Sequence, residues 1–314
     1  MPSSSPHVVF DSRLLAIEEL FRQRQYAAAV NDLSQLSEAE FSSLEHEHGL
    51  FLLLQAEGAV FEGEYKKAVE SGLKSAKLLA DLPFNQRYGR VQLVLSKAYS
   101  ATGDLKNAEI RARDALAAFR RAADTVGQVD SLNELGHVAY IRCDYHAAES
   151  FLTDALAKVS DNPRKIAQLT GNIATLQVFT GRWEEAEANL NQSLAYNVEQ
   201  KYESSQAVNY LSRGYLRLRR RQFVMARRDL DAALEIVGRL GLKREKVIYL
   251  VYAGEWAMQK GDFLKAKMLF SDAYQKGNLR APGSSLVSQA ARCLAETELA
   301  LDNLDEAMKY SQKA

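Results

Sequence analysis

One spacing runs the length of this chain. Large apolar residues stand at Tyr26, Tyr65, Leu105, Tyr145, Trp183, Phe223, Phe263 and Leu304, at steps of 39, 40, 40, 38, 40, 40 and 41 residues. Three places after each comes an alanine: Ala29, Ala68, Ala108, Ala148, Ala186, Ala226, Ala266 and Ala307. A fixed period of this length means one supersecondary unit copied head to tail, with each copy burying its apolar face against the next. The 314 residues would otherwise suggest two globular domains. A repeat array lifts that expectation because its core grows linearly.

Within a period the pattern is helical. In the fourth unit, Leu132, Leu135, Val138 and Ala139 share one face of a first helix. Arg142-Cys143-Asp144 makes a turn, and Ala148, Phe151, Leu152, Ala155 and Leu156 share one face of a second helix. Asn162-Pro163 then punctuates the chain. Small residues stand nine places before the markers, at Ala56, Ser96, Gly136, Ala174, Gly214, Gly254 and Ala295. We assign Gly136, Ala148, Gly214, Ala226, Gly254 and Ala266 to the close approach of the two helices, where a large side chain would clash. Glycine two places before the marker, at Gly63, Gly103, Gly181 and Gly261, supplies a left-handed turn that a β-carbon resists. Turns are expected near residues 24–25, 62–64, 102–104, 142–144, 180–182, 220–222, 260–262 and 302–303.

Gly103-Asp104-Leu105 with Ala108, Gly181-Arg182-Trp183 with Ala186, and Gly261-Asp262-Phe263 with Ala266 resemble the tetratricopeptide repeat. The resemblance covers residues 10–314, as about seven and a half units with the last one incomplete, after a flexible start over residues 1–9. It implies an all-α fold, a right-handed α-solenoid of helix-turn-helix units. The family period is about 34 residues, so the surplus here lengthens the helices. Long-helix arrays of this kind resemble those of bacterial signal-sensing transcription regulators, kinesin light chains and polarity adaptors. The run Asn278–Val287, with Arg292–Glu296 and Leu301–Ala307, is similar to segments of sigma-54-dependent and large ATP-binding bacterial regulators. That resemblance implies a larger regulatory protein, with a further domain of the same chain as one partner.

The composition narrows the classes. Forty basic and forty acidic side chains give no overall pull toward nucleic acid or membrane. No apolar run reaches 18 residues, and no signal-peptide core opens the chain. Cys143 and Cys293 are too far apart in repeat number to pair, which points to a reducing, cytoplasmic setting. Glu45-His46-Glu47-His48 places its histidines about 200° apart on a helix, so they cannot share one metal ion. No P-loop and no nucleophile motif occurs. The reading is of a non-enzyme without metal or cofactor.

By the resemblance, first helices line a concave groove for a peptide or protein partner. The positions eight and five before each marker are Glu57 and Val60, Lys97 and Ser100, His137 and Tyr140, Thr175 and Val178, Tyr215 and Leu218, and Glu255 and Met258. Asn133, His137, Tyr140, Asn172, Tyr215 and Arg219 are the expected ligand contacts; an amide side chain both donates to and accepts from a peptide backbone. One stretch is strongly basic. Arg213, Arg217, Arg219, Arg220, Arg221, Arg227 and Arg228 occur with no acid between residues 211 and 228. Such a cluster pairs internally with Glu199, Glu203, Asp229, Asp231 or Glu255, or it forms a docking patch for an acidic partner at Arg220, Arg221, Arg227 and Arg228. We expect Arg213 and Arg217 to be partly buried and paired, and Arg220 and Arg221 to be exposed at the turn. Direct recognition of nucleic acid or a small effector peptide by this cluster and the groove is the alternative, and the poor interleaving of aromatics weighs against nucleic acid.

Overall fold

A computed structural model describes residues 10–81, 85–159 and 161–314 of the chain. The flexible start expected over residues 1–9 lies outside the described residues. Sixteen α-helices and no strand occur among the described residues. They pair as α1 (Ser12–Arg22) with α2 (Tyr26–Leu33), α3 (Glu45–Glu62) with α4 (Tyr65–Leu79), α5 (Asn85–Thr102) with α6 (Leu105–Arg121), and α7 (Thr125–Ile141) with α8 (Tyr145–Ala157). The series continues as α9 (Pro163–Phe179) with α10 (Trp183–Glu199), α11 (Glu203–Arg219) with α12 (Phe223–Leu240), α13 (Lys243–Gln259) with α14 (Phe263–Arg280), and α15 (Ser285–Ala300) with α16 (Leu304–Ser311). Each marker residue is the first residue of a second helix, so the period read from the sequence is the period of the fold.

The turn before each marker has one geometry throughout. The residue two places ahead of the marker has a positive φ in all eight units: Gly63, Gly103, Gly181 and Gly261, and also Arg24, Cys143, Arg221 and Asp302. Four units therefore hold the left-handed conformation with a β-carbon present, which glycine would adopt without steric cost. Side-chain caps start several helices: Asp144 Oδ1 accepts from Ala147 N at 3.1 Å, and Asp262 Oδ1 from Lys265 N at 3.2 Å. Asn162-Pro163 opens α9 as well as closing what precedes it. Asn162 Oδ1 accepts from Lys165 N, and the proline takes the first helical position, where no N–H is needed.

Packing accounts for the small residues. The alanines three places after the markers are essentially inaccessible to solvent. A β-carbon on Gly136 would lie 3.0 Å from Leu152, one on Gly214 would lie 3.1 Å from Leu230, and one on Gly254 would run into the buried ring of Phe270. Ser75 and Ser193, ten places after their markers, donate from Oγ to Gly49 O and Ala167 O, at 2.7 and 2.6 Å. A hydroxyl there fills the contact and also satisfies a first-helix carbonyl.

The chain divides into two compact units, Met1–Tyr99 with Ile110–Gln128, and Ser100–Glu109 with Val129–Ala314. The core of the first gathers Leu14, Phe21, Phe41, Phe51, Leu54 and Leu95. That of the second gathers Leu211, Leu230, Leu250, Val251, Phe270 and Leu294. None of the helices, among the described residues, is long and apolar enough to cross a membrane.

Candidate functional site

In the second unit the first helices α7, α9, α11, α13 and α15 are joined side chain to side chain along one face. Asn172 Nδ2 donates to Asn133 Oδ1 at 2.7 Å, joining α9 to α7. Thr175 and Ser212 share a hydrogen bond of 2.9 Å between α9 and α11. An aromatic row then takes over. Tyr140 meets Phe179 edge-on at 5.3 Å between centroids, Phe179 stacks on Tyr215 at 5.3 Å, and Tyr215 stacks on Tyr252 at 4.5 Å. Burial pushes the Tyr215 phenol up to about 12, and those of Tyr140 and Tyr252 are raised as well, so all three keep their protons near neutrality.

A charged end follows the row. Glu255 occupies on α13 the place that Tyr215 holds on α11. Burial raises its carboxyl above the ordinary range, while Arg292 and Arg219 pull the other way and Gln289 Nε2 donates only a long bond of 3.5 Å. Arg219 is exposed, with no ion pair among the described residues. It lines a cavity of about 280 Å³ with Leu218, Arg221 and Gln259. The face thus runs from an amide pair, past a row of rings in which Tyr140, Phe179 and Tyr252 are half-buried and Tyr215 is packed into the core, to a set of charges that are not matched one to one.

The first-helix face of the first unit has different chemistry. Glu18 is nearly inaccessible and takes hydrogen bonds from Arg87 Nη2 at 2.8 Å and from Arg90. Arg90 also reaches Glu57 at 2.8 Å, and the Arg87 guanidinium lies 4.0 Å from the Phe10 ring centroid. Burial alone would raise the Glu18 carboxyl; Arg87, Arg90 and Arg22 together hold it below the ordinary range. These charges satisfy one another and leave little for a ligand to bond.

Of the expected contacts, Asn133 and Asn172 touch each other, and Tyr140 and Tyr215 enter the aromatic row through Phe179, which the fixed register had not singled out. His137 is partly exposed, with Nδ1 3.9 Å from Glu134 Oε1. Val178 and Leu218, read as groove-facing, are buried packing residues. Tyr252, eleven places before its marker, fell outside the register.

The basic stretch is mostly matched by acids. Arg213 and Arg217 are partly buried, and both reach the buried Asp229, at 2.7 and 2.6 Å. Arg220, expected to be exposed, is half-buried and bonded to Glu187 at 2.6 Å and Glu184 at 3.0 Å. The carboxylates come from the preceding unit, 33 and 36 residues back. Arg227 pairs with Asp231 one helical turn on, at 2.8 Å. Of the four arginines read as a docking patch, Arg221 and Arg228 are the exposed pair.

No family model matches the sequence, and no curated protein matches it. Solved structures do. The fold is similar to that of a Rap protein complexed with competence and sporulation factor (TM-score 0.73, 13% identity, covering 96% of this chain and 84% of that one). It is similar to the Rap conjugation gene regulator of plasmid pLS20 in complex with the Phr* peptide (TM-score 0.69, 12% identity, covering 96% and 94%). The apo form of the quorum sensor NprR from B. thuringiensis is also similar (TM-score 0.65, 14% identity, covering 98% and 88%). These likenesses place the chain among tetratricopeptide-type all-α solenoids.

Proposed function

We propose that this protein is a peptide-binding sensor module, and that the peptide lies along the first-helix face of the second unit. The observation that carries the reading is the continuous strip from Asn133 and Asn172 through Tyr140, Phe179, Tyr215 and Tyr252 to Glu255. Amides at one end suit a peptide backbone, which needs donors and acceptors together. Stacked rings offer apolar area with little rotamer entropy to lose. Charges at the far end would select among side chains. The pLS20 Rap regulator, with the same fold, was solved with a peptide, which supports a peptide rather than a folded domain as ligand. A regulatory role within a bacterial signalling protein, as the sigma-54 and ATP-binding resemblance implies, goes with this reading. Arg219, Arg221 and Arg228 would favour an acidic group on the partner.

A pooled library of short peptides, incubated with the chain and recovered by gel filtration, tests the proposal. A distinct subset of sequences should be retained. Tyr215→Ala and Asn172→Ala should each weaken the best retained peptide by about tenfold or more, as loss of a central aromatic or a backbone-bonding amide does. Retention of no peptide, or an affinity unchanged from the parent in both variants with helicity intact, would overturn it.

A further inference from the structure

Two neighbouring second helices present large apolar side chains where other units carry polar ones. The residue just after the marker is Val224 in α12 and Leu264 in α14, whereas Lys66, Lys106, His146, Glu184 and Asp305 hold that place elsewhere. Val224 is 70% exposed and Leu264 69%, and Met268, one helical turn beyond Leu264, is 73% exposed. The starts of the two helices meet over Trp256. Its Nε1 donates to Phe223 O at 3.0 Å, and its half-buried ring has Arg227 Cζ 5.6 Å and Lys265 Nζ 5.7 Å from its centroid. Second helices stand in place on both sides of this pair, α10 before it and α16 after it, so the exposure does not come from a missing neighbour. A large apolar patch confined to two units, with Glu184 and Asp305 in the units that flank it, has the make-up of a contact surface.

Charge identifies the occupant. Arg228 follows Val224 by one turn, Lys265 follows Leu264 directly, and Lys260 Nζ stands 5.3 Å from the Phe223 ring centroid. All three cations are exposed, and none is ion-paired among the described residues. Nearby Arg213, Arg217, Arg220 and Arg227 are each matched by a carboxylate. Asp262 sets one carboxylate against these three cations, and its Oδ1 is already engaged by Lys265 N as the cap of α14. Both helices begin at this edge, so their backbone dipoles add positive potential. We infer that a partner protein docks an acidic amphipathic helix across the starts of α12 and α14. Its apolar stripe covers Val224, Leu264 and Met268, and its carboxylates meet Arg228, Lys260 and Lys265. An anionic bilayer is the poorer fit. A broad charged surface would also meet Glu184, Asp262 and Asp305 along the same edge, whereas one helix need cover only two units. The surface is built by second helices, so the inference stands apart from the peptide face on the first helices.

A displayed library of amphipathic helical peptides, with polar positions varied among acidic, neutral and basic residues, is panned on the 314-residue chain to test this. Acidic sequences should be enriched. Val224→Ser with Leu264→Ser should weaken the best of them by about tenfold or more, at unchanged helicity by circular dichroism. Arg228→Glu with Lys265→Glu should weaken it by roughly tenfold at low salt and by less at high salt. Tyr215→Ala should leave this binding unchanged, so the surface and the peptide face fail separately. Vesicles of phosphatidylserine and phosphatidylcholine should not carry the chain down on sedimentation. Enrichment of no sequence, or of neutral or basic ones, would overturn the inference. So would binding indifferent to either double change, binding lost in Tyr215→Ala, or sedimentation with the anionic vesicles.

Discussion

At the scale of single residues, the structure separates helical glycines by what stands opposite them. Gly254 faces the buried Phe270 ring so closely that even a methyl group displaces it, whereas Gly238 in α12 has nothing within 4 Å of a built β-carbon. Gly254→Ala should therefore lower stability by about 1–3 kcal/mol through overpacking. Gly238→Ala should raise it by roughly 0.5–1 kcal/mol, since alanine loses less backbone entropy in a helix. Urea melts of the two variants check the opposite signs, and equal shifts would remove the packing role from Gly254. The sequence shows that a small residue is needed nine places before the marker. It cannot show how small, because that depends on whether Leu152, Leu230 or Phe270 stands opposite.

Between helices, one ion pair recurs at the same place. The acid four residues after a marker accepts from an arginine in the next unit's turn: Glu109 from Arg142, Glu149 from Arg182 at 2.7 Å, and Glu187 from Arg220 at 2.6 Å. In the next two units the sign reverses. Arg227 replaces the acid and pairs within its own helix, and Lys267 reaches the buried Glu298 on α15 at 2.8 Å. Such part-exposed pairs contribute modestly and set register between neighbours. A double-mutant cycle on Glu187→Ala and Arg220→Ala should return a coupling of about 0.5–1 kcal/mol. Coupling of zero would leave the turn arginine without a structural role and return it to the docking surface. Arg220 could be misread from sequence because its partners lie one full period back, beyond any window in which charge neighbours are normally sought. The marker, the turn and the alanine were legible because each is dictated inside one unit. The Glu18 network was not, since it joins α1 to α5 across 69 and 72 residues.

Across the whole molecule, two carboxylates in different units, Glu18 and Glu255, respond to acid in opposite ways. Glu18 is held below the ordinary range, so its contribution is present above the unfolded carboxylate pKa and is lost as pH falls through the folded value. Glu255 is raised, so its contribution is present below the ordinary carboxylate pKa and is lost as pH rises through the folded value. Hydrogen exchange followed from neutral to acidic pH should show α1, α3 and α5 losing protection while α13 holds or gains it. Glu255→Gln should stabilise α13 at neutral pH and lose that advantage in acid. A uniform loss of protection across both units would contradict the assignment. The ligand face was only partly legible for a similar reason. Tyr140, Phe179, Tyr215 and Tyr252 stand five, four, eight and eleven places before their markers, so from Phe179 onward the row climbs about one helical turn per unit, and a fixed register loses it. That row has an optical consequence. Tyr215 and Tyr252, stacked 4.5 Å apart at 19°, are close enough for their excited states to couple, and Trp256 follows Tyr252 by one turn as an acceptor. Near-ultraviolet dichroism and tyrosine-to-tryptophan energy transfer should therefore report any ligand that parts or rotates those two rings, without a label attached to either molecule.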